Sequence, residues 1–330
     1  MKRVHLLLIA LLSAFVMAVF TSCVSLPGGD SGGEDKGYST EMAVFGAISN
    51  SVKSIEKASE TITPEEEYYI GRSVAASIAT TYPVDQGSYK MTSYLNQICE
   101  TLVMNSEKPY LYKGYYVVIL DTDEINAMAT PGGHIFVSRG LIDATDSEDA
   151  LAAVIAHEVA HIQLGHSVEA IKASRVRTAV SDTAKAGLVT GIASANMRGA
   201  NGMKLSEKEM EKVMEAVDSI SNASGEVVKT LVNSGFSKEQ EFEADAKALR
   251  ILRSAGYDPN AMLDMLGQLE ESPSNSGWGS THPSPKDRIA KVKKELTKMQ
   301  KEKYPEVQGR QVRKERFDTE YEEYKIFEIN

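Results

Sequence analysis

Cysteine is almost missing from this 330-residue chain, with only Cys23 and Cys99 present. Two thiols exclude a disulfide framework and a cysteine-rich zinc ribbon. A basic excess is also missing. Lys and Arg number 36 against 46 Asp and Glu, and the net charge of −10 excludes the basic face that nucleic-acid binding requires. Beyond the first segment no apolar run approaches the ~18 residues of a membrane-spanning helix. What remains is ordinary for a globular protein. Charged residues at 25% and apolar residues at 42% exclude wholesale disorder. The length accommodates one large domain or two ordinary ones.

The apolar exception opens the chain. Lys2 and Arg3 precede a run from Leu6 to Phe20 broken only by Ser13. It is shorter than the ~20 residues of a permanent span and fits a signal peptide over 1–22. Thr21 and Ser22 lead into Cys23. That order resembles a bacterial lipoprotein signal, in which the cysteine becomes the lipidated N-terminus. The alternative is a secretory signal with an incidental cysteine. The lipoprotein resemblance implies a multiply acylated Cys23, since one acyl chain anchors only marginally. It also implies a cell-envelope location facing the periplasm, and Val24 in place of Asp leans toward the outer membrane. Cys99 then has no partner and reads as a small buried hydrophobe.

Residues 23–40, rich in Gly, Ser and Asp, form a flexible tether. Helical spacing recurs over 41–60, and Thr63-Pro64-Glu65-Glu66 starts a helix that runs to Thr81. Another helix covers 88–105. The segment 115–121 is β-branched and aromatic, and 125–140 reads as two short strands around a Pro-Gly-Gly turn. A helix follows with Thr145 and Glu148 at capping-box spacing. Residues 167–236 form a helical insert within a domain spanning 41–300. Helices are expected over 237–255, 260–271 and 285–301. Residues 301–330 read as a charged, loosely attached C-terminal tail. The fold class is α+β, mainly helical with one small sheet.

His157-Glu158-Val159-Ala160-His161 is an HExxH motif. Residues i and i+4 share one helix face, so both imidazoles can reach one ion, with Glu158 beside them to hold a water. The alternative is a buried polar pair and a solvated Glu. Two histidines leave a site short of a third ligand. The extended HExxHxxGxxH class is excluded, because Leu164 and Ser167 stand where it needs Gly and His. His166 then reads as packing or hydrogen-bonding near a helix C-terminus, a place favourable for a cation. Downstream, EQEFEADA places Glu241 and Asp245 four apart. Glu241 can complete a His₂Glu set, with Asp245 on the far nitrogen of a ligand His. The alternative is a solvated acidic face.

The HExxH and EFEAD motifs, with NAMATPGGHIFVSRGL before them, EEEYYIGRSVAASI near the start and THPSPKDRI near the end, resemble family forty-eight of the zinc metallopeptidases. That family includes CAAX prenyl endopeptidases, mitochondrial Oma-type proteases and periplasmic lipoproteins. The resemblance spans residues 64–296 and implies a zincin-type domain. It also implies one Zn²⁺ held by His157, His161 and Glu241, with Glu158 as base and Asp245 behind the ligands. Asn126 and Ala127 are implied to lie on an edge strand that pairs with the substrate backbone. Met128 and Gly165 depart from the family pattern without touching the metal set. The implied substrates are polypeptides, in particular unfolded or misassembled envelope proteins. For the second oxyanion donor, His282 and Arg288 are candidates. His282 has a competing reading as a zinc ligand in a resting state, and both residues can equally be loop and surface side chains. His134, beside the Gly-Gly turn, is expected to be exposed. A different class of function is a chaperone-like or assembly-scaffold lipoprotein whose zinc site is latent.

Overall fold

The computed structural model describes residues 61–173, 235–271, 282, 285–302 and 307–329. The expected signal peptide, Cys23, the tether, the 41–60 helix and most of the 167–236 insert lie outside the described residues.

Helix α1 (Pro64–Thr81) begins as its sequence dictates. Thr63 Oγ1 accepts the Glu66 N–H at 3.2 Å, and the Glu66 carboxylate accepts the Thr63 N–H at 2.8 Å. Helix α2 (Tyr89–Met104) follows, with Leu95, Ile98, Cys99 and Leu102 buried on one face. Burial pushes the free Cys99 thiol up to about 12, so it is an inert core group. Three strands come next: β1 (Tyr116–Leu120), β2 (Ala127–Ala129) and β3 (His134–Ser138). The sheet order is β1-β3-β2, with β1 parallel and β2 antiparallel to β3. The outer side of β1 carries an antiparallel bridge between Val84 and Leu120. The outer side of β2 pairs with no strand among the described residues.

Alternation along the strands divides the core in two. Val117, Ile119, Ile135, Val137, Ala127 and Ala129 face the main cluster with α2 and the helices beyond it. Leu120, Met128 and Phe136 face α1, together with Ile171 and Phe236. Helix α1 lies directly on the Pro131–Gly133 turn between β2 and β3. A Cβ on Gly71 would stand 1.7 Å from the Pro131 carbonyl oxygen, so only glycine permits that approach.

After the short α3 (Arg139–Ala144) comes the central element, α4 (Glu148–Leu164), buried from Glu148 through Ile162. It is buried all round, and Ala150, Ala152, Ala153, Ala156 and Ala160 let neighbours approach on every side. It packs against α2, β2, α5 (Lys238–Ser254), α6 (Ala261–Glu271) and α8 (Arg310–Ile329). Helix α7 (Pro285–Met299) covers α5 and α6. The fold is thus mainly helical α+β, and no helix among the described residues is long and apolar enough to cross a membrane.

Three expectations are corrected. The cap of α4 is Ser147, whose Oγ accepts the Ala150 N–H at 3.3 Å. Thr145 instead donates to the Ile142 carbonyl, and Glu148 turns inward. His134 is half-buried, because its ring stacks on Tyr68 at 5.5 Å. The charged tail is largely a helix docked on the core. Its sequence reads as solvated, yet Phe317 and Tyr324 of α8 are buried. Its arginines reach two buried carboxylates in the first turn of α4. Arg316 Nε donates to Glu148 at 2.6 Å and Arg313 Nε to Asp149 at 3.1 Å. Glu148 also accepts from the Tyr94 and Tyr257 hydroxyls, at 2.9 and 3.0 Å. Two carboxylates at a helix N-terminus are favoured by its dipole, and the arginines offset the cost of burying them.

Arg316→Ala is expected to cost about 1–3 kcal/mol by leaving the Glu148 carboxylate under-paired. The low end applies, because the Arg316 side chain is 49% exposed. Arg316→Lys should recover part of the loss. Urea unfolding checks this: the midpoint should fall with the slope unchanged.

Candidate metal centre

Helices α4 and α5 lie side by side and each presents its i, i+4 pair across the contact. His157 and His161 come from α4, Glu241 and Asp245 from α5, and all four are 2% exposed or less. The two Nε2 atoms of the histidines stand 3.1 Å apart. The Glu241 carboxylate lies 3.5 Å from each of them. His282 completes the cluster, with Nδ1 at 3.0 Å from both Glu241 oxygens and 3.4 Å from His157 Nε2. The ligand atoms of His157, His161, Glu241 and His282 all fall within 4.8 Å of one another.

The donor chemistry fits a metal ion. Ligands at ~2.0–2.2 Å from one tetrahedral zinc stand ~3.3–3.6 Å apart, close to these separations. His157 Nδ1 faces Asp245 Oδ1 at 3.0 Å, which places its proton there and turns the Nε2 lone pair inward. Lone pairs and a carboxylate then converge in a dry interior, and a cation is what satisfies them together.

The charges around the cluster agree. Burial and the Arg288 guanidinium disfavour an imidazolium at His157. Hydrogen bonds to Asp245 and Glu241 outweigh both, and its pKa rises to about 9. The cluster therefore attracts positive charge, a proton included. Burial holds His161 well below its ordinary value. Against burial, His282 and Arg288 hold the Glu241 carboxyl well below the usual carboxylate range. Against the same penalty, Arg288 lowers Asp245 too.

Arg288, on α7, is 1% exposed. Its Nε and Nη2 donate to Asp245 at 2.9 and 2.6 Å, and its Nη1 lies 3.2 Å from Glu241. Its guanidinium thus engages both α5 carboxylates. Glu158 is 1% exposed, and neither of its oxygens has a hydrogen-bond partner among the described residues. His282 Nε2 stands 3.7 Å from it. Burial raises the Glu158 pKa, although nearby cations oppose the shift. A carboxylate kept available in this way suits proton transfer.

The edge strand β2 packs beside α4. The Thr130 N–H donates to the His134 carbonyl and the Ser138 N–H to the Asn126 carbonyl. By the alternation of an antiparallel ladder, Ala127 and Ala129 turn their backbone groups away from β3. Asn126 Oδ1 is buried without a hydrogen-bond partner. The strand is not exposed, however, since Ala127, Met128 and Ala129 are at most 2% accessible.

One residue escaped the sequence reasoning. Phe236 stacks on the His161 ring, with centroids 4.2 Å apart. No local pattern marks it, because the contact joins distant segments. His166 lies with its Nδ1 2.9 Å from His161 Nδ1, and burial lowers its pKa. Its spacing beyond the motif, across Gly165, is the one signal that pointed to it.

One zinc per chain is expected by elemental analysis of purified protein, and His157→Ala or Glu241→Ala should remove it. Zinc at a hundredfold above its Kd should stabilise the chelator-treated chain by about 2.7 kcal/mol, read as a rise in Tm.

Comparison with known proteins bears on the same residues. A family model described as Peptidase family M48 matches residues 90–296. The mitochondrial metalloendopeptidase OMA1 of Schizosaccharomyces pombe is 29% identical over 217 residues, covering 63% of this chain and 54% of that protein. The β-barrel assembly-enhancing protease of Escherichia coli is 25% identical over 218 residues, covering 63% and 39%. Metalloprotease YcaL of Escherichia coli is 26% identical over 303 residues, covering 89% of this chain and all of that protein. The chain thus spans 54% and 39% of the first two and the whole length of the third. The matched family region exceeds half of the chain and holds every side chain of the cluster, so this chain belongs to peptidase family M48, a family of metallopeptidases.

Proposed function

We propose that the protein is a zinc-dependent endopeptidase that cleaves polypeptides. The observation that carries this reading is Glu158, a buried carboxylate whose oxygens have no hydrogen-bond partner among the described residues, beside a convergent His₂Glu set. His157, His161 and Glu241 would hold the zinc. Zinc there would supply a Lewis acid for the scissile carbonyl and lower the pKa of a water to about 7. Glu158 accepts the proton of the attacking water and returns it to the leaving amine. Its raised pKa suits both halves of that transfer, since the same group must take the proton and give it up. Asp245 fixes the His157 ring, and Arg288 balances the Asp245 and Glu241 charges rather than standing free as an oxyanion donor. Asn126 and Ala127 would align an extended substrate strand. The buried Asn126 Oδ1 and the outward backbone of Ala127 support that role.

The finer reading is proteolytic quality control of unfolded or misassembled envelope proteins by a lipoprotein anchored through Cys23, at the outer membrane in preference to the inner. Its support is the signal-like segment before Cys23 and the name of the β-barrel assembly-enhancing relatives.

A second reading is favoured by one observation. His282 stands among the three ligands and within 3.7 Å of Glu158, and β2 is buried. These contacts support a resting site with His282 as fourth donor. A latent site of this kind is also what the chaperone-like alternative requires.

Glu158→Gln should keep zinc and reduce casein cleavage at least about a hundredfold. Undiminished cleavage by that variant would sink the assignment. His282→Ala separates the readings of His282. Faster turnover marks a resting ligand, slower turnover marks an oxyanion donor, and unchanged turnover removes both roles.

A further inference from the structure

The two histidine ligands are not held alike. His157 has a carboxylate on its far nitrogen, Asp245 Oδ1 at 3.0 Å. The far nitrogen of His161 faces another imidazole, His166 Nδ1 at 2.9 Å. We propose that His166 is the positioning residue of His161, a neutral imidazole that accepts the Nδ1 proton of His161 and thereby directs its Nε2 lone pair into the metal site. This rests on the reading of the cluster as a zinc site.

The direction of the hydrogen bond follows from proton counting. Two ring nitrogens 2.9 Å apart share one proton, so one donates and the other accepts. If His166 donated, the proton of a neutral His161 would sit on Nε2. It would then point at His157 Nε2, 3.1 Å away, and at Glu241 Oε1, 3.5 Å away. That tautomer blocks ligation. The productive tautomer has His161 donating, so His166 carries its own proton on Nε2. Glu243 Oε2 lies on that side at 3.6 Å, beyond a direct hydrogen bond, with its side chain 66% exposed. The sequence of contacts therefore runs from the ligand through His166 toward a solvated carboxylate on α5, two residues past Glu241.

The local chain builds this arrangement. Gly165 ends α4 in the left-handed region at φ 73°, with its N–H bonded to the His161 and Ile162 carbonyls. The helix resumes at 166 on the far side of that turn. The turn folds His166 back onto the ring it follows by five residues. Phe236 stacks on the face of His161 at an interplanar angle of 22°. The ring is thus held in its plane by His166 and across its face by Phe236. His166 itself is 2% exposed. An imidazole acceptor enhances ligand basicity less than a carboxylate does, which makes His161 the weaker of the two nitrogen donors.

The test measures zinc affinity by chelator competition in the full chain carrying Glu158→Gln, so that self-cleavage does not interfere. His166→Phe, which fills the space without an acceptor, should raise the zinc Kd by about 10–100-fold. His166→Asn, which offers Oδ1 as acceptor, should recover most of that loss. The Tm of the metal-free chains should be unchanged. Parental affinity in His166→Phe overturns the proposal, and so does His166→Asn binding as weakly as His166→Phe. A fall in metal-free Tm that accounts for the weaker binding assigns His166 to packing and overturns it as well. Failure of the underlying reading looks different: the parent binds no zinc, or its affinity is indifferent to His157→Ala.

Discussion

Convergence of acceptors in a dry interior is the constraint on which this structure rests. Two imidazole lone pairs, the Glu241 carboxylate and His282 meet where no bulk water can solvate them. Such a cluster is tolerable only with compensating positive charge. Part of that charge is permanent, since Arg288 is fully buried and bonds both α5 carboxylates. The rest is what an ion held by the cluster would supply. The placement of α7 follows from this, because it carries the guanidinium that keeps Asp245 and Glu241 ionised.

The rigid mount for this chemistry is α4. A helix buried on every side cannot be amphipathic, and its alanines let the neighbouring helices and strands close around it. Its two ends are treated differently. At the N-terminus, two carboxylates are clamped by arginines, tyrosine hydroxyls and the Asp258 N–H. At the C-terminus, Gly165 turns the chain back at once and returns His166 to the metal cluster. The edge strand runs alongside, so Glu158 and the backbone of β2 belong to one packed unit.

Much of this was legible in the sequence, because it is written in local periodicity. The i, i+4 spacing of His157 and His161, and of Glu241 and Asp245, is a statement about one helix face. The β-branched, aromatic run of 115–121 and the Pro-Gly-Gly turn within 125–140 located the strands, and Thr63-Pro64-Glu65-Glu66 located the start of α1. What was not legible depends on distant partners. The last helix looks like a solvated charge run because its arginines find acceptors at Glu148 and Asp149, which no local pattern links to it. Glu148 was read as a capping residue for the same reason. Phe236 meets His161 only once α5 has docked, and Tyr68 covers His134 only once α1 lies on the turn. His282 could be proposed as a ligand but not placed, since a lone histidine ahead of Pro283 and Pro285 has no periodicity.

The clamp between α8 and α4 joins positions 168 residues apart in the chain. Synthesis runs from the N-terminus, so Glu148 is made long before the arginine that pairs with it. Until the last helix emerges, the catalytic helix has two carboxylates at its first turn without their cations. A contact of such separation also forms slowly, since a long loop must close before it contributes. The order of manufacture therefore withholds the finished catalytic helix from the nascent chain, and a truncated product lacks the part that completes it.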